Sequence, residues 1–275
     1  MFNSEAEFEA ALIKKLTDEC GWDKKILRNY SEKDLIKNWA DILFQNNRQI
    51  DRLNDYPLTE GEMGQILEQI KSLRTPVKLN GFINGGSILI KRDNEDDKAH
   101  FGKEISLKIY DRKEIAAGKS RYQIVVHSDI KSQRRGDLLL LINGMPVIHI
   151  ELKNTNVPVS QACYQIQKYA GEGIYTGIYS LVQIFVAMNP EETRYFANPG
   201  PEGKFNHWAD FNNNPINDWK RIATSFLSIP MAHQLIGFYT VADDTDGVLK
   251  VMRSYQYYAA NAISDRVSKT KWDEP

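Results

Sequence analysis

Cysteine is scarce, and no sign of charge dominates. Only two cysteines, Cys20 and Cys163, occur in 275 residues. They show neither a CxxC motif nor Cys/His spacing, which excludes a zinc module or a disulfide framework and points to a reducing compartment. Thirty-five basic residues face 36 acidic ones, a net charge of −1. Nothing therefore attracts a polyanion globally, and nucleic-acid binding has to rest on a local patch or on help from elsewhere. No apolar run approaches the ~18 residues of a membrane span. The N-terminus, MFNSEAEFEAALIKKL, is acidic and amphipathic and has no cationic start followed by an apolar core. A cytoplasmic protein that does not meet a membrane is expected. Internal repeats and low-complexity tracts are also lacking. What is present is 42% hydrophobic and 11% aromatic content, ample for one sizeable core.

Local patterns order the elements. Ser4 followed by Glu7 is a capping-box pattern, with Phe8, Leu12, Ile13 and Leu16 on one helical stripe. Ser31 caps a second helix whose apolar face is Leu35, Trp39, Ile42 and Leu43, and Thr59 with Glu62 opens a third. From about residue 78 to residue 131 the period moves toward two, in GSILIKR, EISLKIYD and RYQIVVHSDI, read as strands of one sheet. After a hairpin at 136–153 comes a helix capped at Ser160 and stopped by Gly171 and Gly173. Two strands follow, SLVQIFVAMN and TRYFANP, the first apolar on both faces as a central strand is. Residues 198–218 read as a surface excursion, and DWKRIATSFLSIPMAHQLIGFY as helix. The order predicts an α/β fold with a mixed central β-sheet flanked by helices, and extra helices at the N-terminus. Residues 1–240 read as one domain; 241–275 read as a linker and the start of another.

The hairpin GDLLLLINGMPVIHIELK carries the chemistry. Alternation on its returning strand sends Ile148, Ile150 and Leu152 to a core face, and Val147, His149, Glu151 and Lys153 to a face that gathers charge. A carboxylate and an ammonium two residues apart, beside Asp137 across the hairpin, suit an oxygen-seeking divalent cation and a charged transition state. Turn parity tests this. An ideal two-residue turn at Asn143-Gly144 sets Asp137 against Ile150, on the opposite face from Glu151. The carboxylates meet only if the register slips by one, through a three-residue loop or a bulge, and Pro146 offers a place for one. In the next helix Gln165 and Tyr169, at i and i+4, share a face that can look back at the site.

Asp137, then Glu151-Leu152-Lys153, then Gln165 and Tyr169 follow the D…(D/E)xK…QxxxY order, and the chain resembles the PD-(D/E)xK nucleases with their restriction-endonuclease-like core. More narrowly, LLLLINGMPVIHIELKNTNVPVSQACYQIQKY and TRYFANP resemble the N-terminal nuclease region of the restriction (R) subunit of type I restriction–modification enzymes. The similarity runs from SEAEFEAALIKKL to VLKVMRSYQYYAANAI, which is similar to the segment entering the first helicase-like motor domain. Gly136 stands where the superfamily's name has a proline, a position without chemistry. The resemblance implies a DNA endonuclease without sequence preference of its own. Asp137, Glu151 and the Leu152 carbonyl would hold Mg²⁺. Lys153 would orient or deprotonate the attacking water or stabilise the phosphorane, and Gln165 and Tyr169 would position the phosphate or the site's side chains. Glu9 is a further candidate for metal or water contact. Implied partners are double-stranded DNA and the methyltransferase (M) and specificity (S) subunits. The sequence lacks GxxxxGK(S/T), so ATP would be cradled in a motor outside this chain, which reads as a fragment. Arg253-Ser-Tyr-Gln256 still looks like the adenine-reading segment before such a loop, with Gln256 as the adenine contact.

Other groups have plainer readings. Without the ordered family segments, Asp137, Glu151 and Lys153 read as solvated strand ends. Lys131, Arg134 and Arg135 precede the aspartate and can meet phosphates, or form an ordinary basic loop. His149 reads as hydrogen-bonded structure, DNEDD at 93–97 as an acidic turn, and Tyr255, Tyr257 and Tyr258 as packing for the next domain. Two other functions stay open: a repair or junction nuclease on the same core, and a non-catalytic DNA-binding or docking module.

Overall fold

The computed structural model describes residues 2–269 apart from 114–119, 132, 133, 199–204, 244 and 246, and the backbone alone at 129–131 and 134–136. Capping chemistry sets the first helices. In α1 (Glu5–Glu19) the Ser4 side chain accepts the Glu7 N–H, and the buried residues are Phe8, Leu12, Ile13 and Leu16. The Glu7 carboxylate takes the Asn3 N–H, not that of Ser4, so the box is half made. After the short strand β1 (Leu27–Arg28), α2 (Glu32–Asn46) and α3 (Glu60–Leu73) start with full capping boxes, Ser31 with Asp34 and Thr59 with Glu62.

The region from 78 to 131 departs from the single sheet expected. Pro76–Asn84 forms a helix, α4, capped by Thr75, with Pro76 in the first turn where no N–H is needed. The strands β2 (Ser87–Lys91) and β3 (Glu104–Lys108) make a separate two-stranded sheet. Two α3 side chains explain the separation: Gln65 donates to the Lys91 carbonyl and Gln69 to the Leu89 carbonyl, covering the free edge of β2. The acidic turn is no solvated turn at its end: Asp97 is fully buried beside Arg92.

Strand β4 (Tyr122–Lys131) instead enters the central sheet with β5 (Arg134–Ile142) and β6 (Met145–Leu152). From β6 the chain passes through α5 (Val159–Gly171) and a 3-10 turn (Gly177–Leu181) to β7 (Ile184–Asn189) and β8 (Glu192–Ala197). The order is β1-β4-β5-β6-β7-β8. The β1–β4 and β6–β7 pairs are parallel and the rest antiparallel, so the sheet is mixed as predicted. Helix α5 begins at Pro158 with no side-chain cap, two residues ahead of Ser160. Its first residue, Val159, is fully buried, and that packing draws the start forward.

The stretch expected as one helix at 218–239 is two, α6 (Trp219–Ser225) and α7 (Met231–Gly237), broken before Pro230, which lacks an amide donor. Part of the supposed surface excursion is core: Trp208 is fully buried, and Asn206 bridges to Tyr195. A hairpin of β9 (Thr240–Asp243) and β10 (Val248–Val251) packs on α4 and β8, and α8 (Ser254–Lys269) follows. Tyr257 and Tyr258 of α8 pack at a tilt against Trp208 of this same chain. Both cysteines are buried and free. Among the described residues, no helix is long and apolar enough to cross a membrane.

Candidate active site

The β5–β6 turn decides which side chains meet. Asn143 (φ 51°) and Gly144 (φ 84°) both take left-handed backbone, as a two-residue type I′ turn requires, and Ile142 faces Met145. Leu141 then faces Pro146, but Leu140 faces Ile148, so Val147 is an extra, bulged residue. Beyond it Leu139 faces His149 and Leu138 faces Ile150. The next pair outward is Asp137 and Glu151, on one face of the sheet. The slip that the turn parity demanded is therefore present, immediately behind Pro146. Residues 138–141 are four fully buried leucines, each contributing roughly 1.5–3 kcal/mol. They anchor the strand firmly enough to hold a carboxylate in an unfavourable place.

The Leu152 N–H donates to Asp137 Oδ2 at 2.6 Å, tying the two strands at the carboxylates. Lys153 Nζ donates to the Leu152 carbonyl at 2.8 Å and to Glu151 Oε1 at 3.4 Å. From α5, Gln165 Nε2 donates to Glu151 Oε1 and reaches the Tyr169 hydroxyl at 2.8 Å. Burial, and then the charge of Glu151, push the Asp137 carboxyl up to about 8, against the pull of the Leu152 N–H and Lys153. Asp137, Glu151, Lys153, Gln165 and Tyr169 thus form one connected cluster.

The charge-gathering face is not solvated. All eight residues of β6 are buried, because helices cover both faces of this sheet and alternation no longer marks exposure. Glu151 is 1% exposed, and its Oε2 has no hydrogen-bond partner. His149 is fully buried beside it, bonded through Nδ1 to the Tyr175 hydroxyl at 2.7 Å.

Two expectations about flanking residues need adjustment. Glu9 is engaged by His127, whose Nε2 lies 2.9 Å from its Oε2, and His127 itself holds a left-handed φ of 53° inside β4. The α1 carboxylate whose charge reaches Asp137 is Glu5, which the sequence reading missed. Burial pushes Glu5 up, Lys153 pulls it back, and Glu151 and Glu9 push it again. Its position four residues before Glu9 on the same helical face was the available signal. Lys131, Arg134 and Arg135 lie on paired strand ends, not in a loop, with Lys131 against Arg134; their side chains lie outside the described residues. Gln256 Oε1 accepts the Arg253 N–H at 2.9 Å, at the start of α8. Among the described residues, no three His, Cys, Asp or Glu side chains cluster to hold a metal ion. A cation at the hairpin would therefore rest on two carboxylates, a backbone carbonyl and water.

A mixed sheet flanked by helices, with carboxylates and a lysine gathered at the open end of an inner hairpin, is compatible with a nuclease-like fold. Residues 2–204 match the family described as type I restriction enzyme R protein N terminus, and the chain belongs to that family. The narrower resemblance, to the N-terminal region of the R subunit, is thereby borne out. The chain is 30% identical over 274 residues to the type I restriction enzyme SauCOLORF180P endonuclease subunit of Staphylococcus aureus (strain COL), with 98% of this chain and 28% of that protein covered. It is 30% identical over 278 residues to the SsaAORF53P endonuclease subunit of Staphylococcus saprophyticus, again with 98% and 28% covered. With the EcoprrI endonuclease subunit of Escherichia coli it shares 26% identity over 274 residues, covering 95% of this chain and 82% of that protein. The chain spans 28% of the length of these staphylococcal relatives.

Proposed function

We propose that this chain is a Mg²⁺-dependent DNA endonuclease domain with a PD-(D/E)xK core, acting within an R subunit in the cytoplasm and hydrolysing phosphodiester bonds without sequence preference of its own. The observation that carries the reading is the bulge at Val147, which sets Asp137 opposite Glu151 with Lys153 beside them. The residues fit the cation. Their donors are hard oxygens, and the repulsion that raises Asp137 is what a divalent charge relieves. Asp137, Glu151 and the Leu152 carbonyl would hold Mg²⁺, which supplies positive charge to the phosphate and acidifies an attacking water. Lys153, resting on the Glu151 and Leu152 oxygens, orients that water or takes its proton, or steadies charge on the phosphorane. Gln165 fixes Glu151 Oε1 and is itself fixed by Tyr169.

Double-stranded DNA is the substrate, and Lys131, Arg134 and Arg135, whose backbone lies at the paired ends of β4 and β5, are the residues proposed to meet its phosphates. Sequence recognition falls to M and S subunits. ATP powers translocation by a motor beyond this chain, to which Gln256 contributes an adenine contact. In a reconstituted complex with Lys153→Ala or Asp137→Ala, plasmid cleavage vanishes while ATP hydrolysis continues. Cleavage that survives either change sinks the assignment and leaves a docking module as the better description.

A further inference from the structure

Glu151 has two oxygens in unequal surroundings. Oε1 accepts from Gln165 and Lys153, whereas Oε2 is buried without a partner. The other buried, unpartnered polar atom here is His149 Nε2, 3.5 Å from that oxygen. Both side chains are almost wholly inside, 0% and 2% exposed. A buried polar atom left without a partner costs free energy, and these two lie 3.5 Å apart, a few tenths of an ångström beyond ordinary bonding range.

The contact at the opposite ring nitrogen bears on which atom holds the proton. His149 Nδ1 lies 2.7 Å from the Tyr175 hydroxyl. If Nδ1 carried the hydrogen, the Nε2 lone pair would point at a carboxylate oxygen in a dry site, which is repulsive. If Tyr175 donates, Nε2 carries the hydrogen, 3.5 Å from Glu151 Oε2. Burial, then the charge of Glu151, hold the Tyr175 phenol well above its ordinary range, so its hydrogen stays available to donate. Phe185, edge-on to the imidazole, and Tyr175 fix the ring plane.

We propose that His149, locked in its Nε2–H tautomer by the Tyr175 hydroxyl, is a positioning residue that holds Glu151 from the side opposite Gln165 and Lys153. The inference rests on the reading of Glu151 as a metal-binding carboxylate. With both oxygens restrained, the carboxylate cannot swing away from Asp137 when Lys153 moves to its water. Residues bonded to a ligand in this way set metal affinity by roughly 10–100-fold.

The test measures Mg²⁺ binding to this chain by calorimetry, and the Mg²⁺ dependence of plasmid cleavage by the reconstituted complex, for His149→Leu, His149→Gln and Tyr175→Phe. His149→Leu weakens Mg²⁺ binding roughly 10–100-fold and raises the Mg²⁺ needed for cleavage by a like factor. His149→Gln, whose amide reaches the same oxygen, recovers most of the loss. In the unaltered chain, imidazole ¹⁵N spectra show His149 protonated at Nε2, and Tyr175→Phe disturbs that signal. A folded His149→Leu chain with unchanged Mg²⁺ affinity overturns the inference, as does an Nδ1–H tautomer in the unaltered chain. If Asp137→Ala abolishes cleavage while His149→Leu leaves its Mg²⁺ dependence intact, only this inference fails. Cleavage surviving Asp137→Ala overturns the reading of the site itself.

Discussion

Neutralising Asp137 should stabilise the metal-free chain, the opposite of what removing a structural ion pair does. In an unfolded chain an aspartate titrates near ~3.9, whereas here burial and Glu151 push it up to about 8. The folded state therefore binds this proton more tightly than the unfolded state. Stability is greatest below ~pH 4, falls as pH rises between ~4 and about 8, and levels off above that. Each pH unit is worth at most about 1.4 kcal/mol, so the whole interval sets a ceiling of roughly 5–6 kcal/mol. The site is nearer an effective dielectric of ~20 than of ~4, and roughly 1–3 kcal/mol is the realised share. Asp137→Asn keeps an oxygen for the Leu152 N–H and turns amide hydrogens toward Glu151. In EDTA at pH 8 the variant should gain about 2–5 °C in melting temperature, the equivalent for a chain of this size. The gain should fade toward pH 4, and Mg²⁺ should raise the midpoint of the unaltered chain alone. Equal midpoints across this range, or a variant less stable at pH 8, would refute the coupling of the two carboxylates.

Two further perturbations test the frame around the site. Arg92 is buried against Glu62 at 2.6 Å and Asp97 at 3.0 Å, so Arg92→Met leaves two buried carboxylates without their cation. That should cost about 3–5 kcal/mol, read as a lower urea midpoint; an unchanged midpoint means that water reaches the pair. At Gly144, φ is 84° and an added Cβ would come within 2.9 Å of Trp39 Cα. Gly102 shares a positive φ of 75° but has open space around it. Gly102→Ala should lose about 1–2 kcal/mol from backbone strain, and Gly144→Ala clearly more. Equal losses would show that α2 yields at no cost.

Features whose causes lie within a few residues could be read along the chain. The buried faces of α1 and α2 were legible residue for residue, because capping and a 3.6-residue period are local. So was the conflict in the hairpin: the Asn-Gly turn alone would have kept Asp137 and Glu151 on opposite faces. Short elements such as α4 and β1 offered too few residues for any period to show, and the stop at Pro230 was hidden in an otherwise helical pattern. The remaining features depend on partners far along the chain. The extra residue falls at Val147, whose carbonyl accepts the N–H of Gln183, and that placement brings the carboxylates together. Glu5 enters the field of the site only because α1 lies near it, and His149 is held beside the buried Glu151 only because Tyr175 and Phe185 pack on its ring. Alternation along β6 encodes which side chains share a face, but whether that face is wet depends on what packs against it.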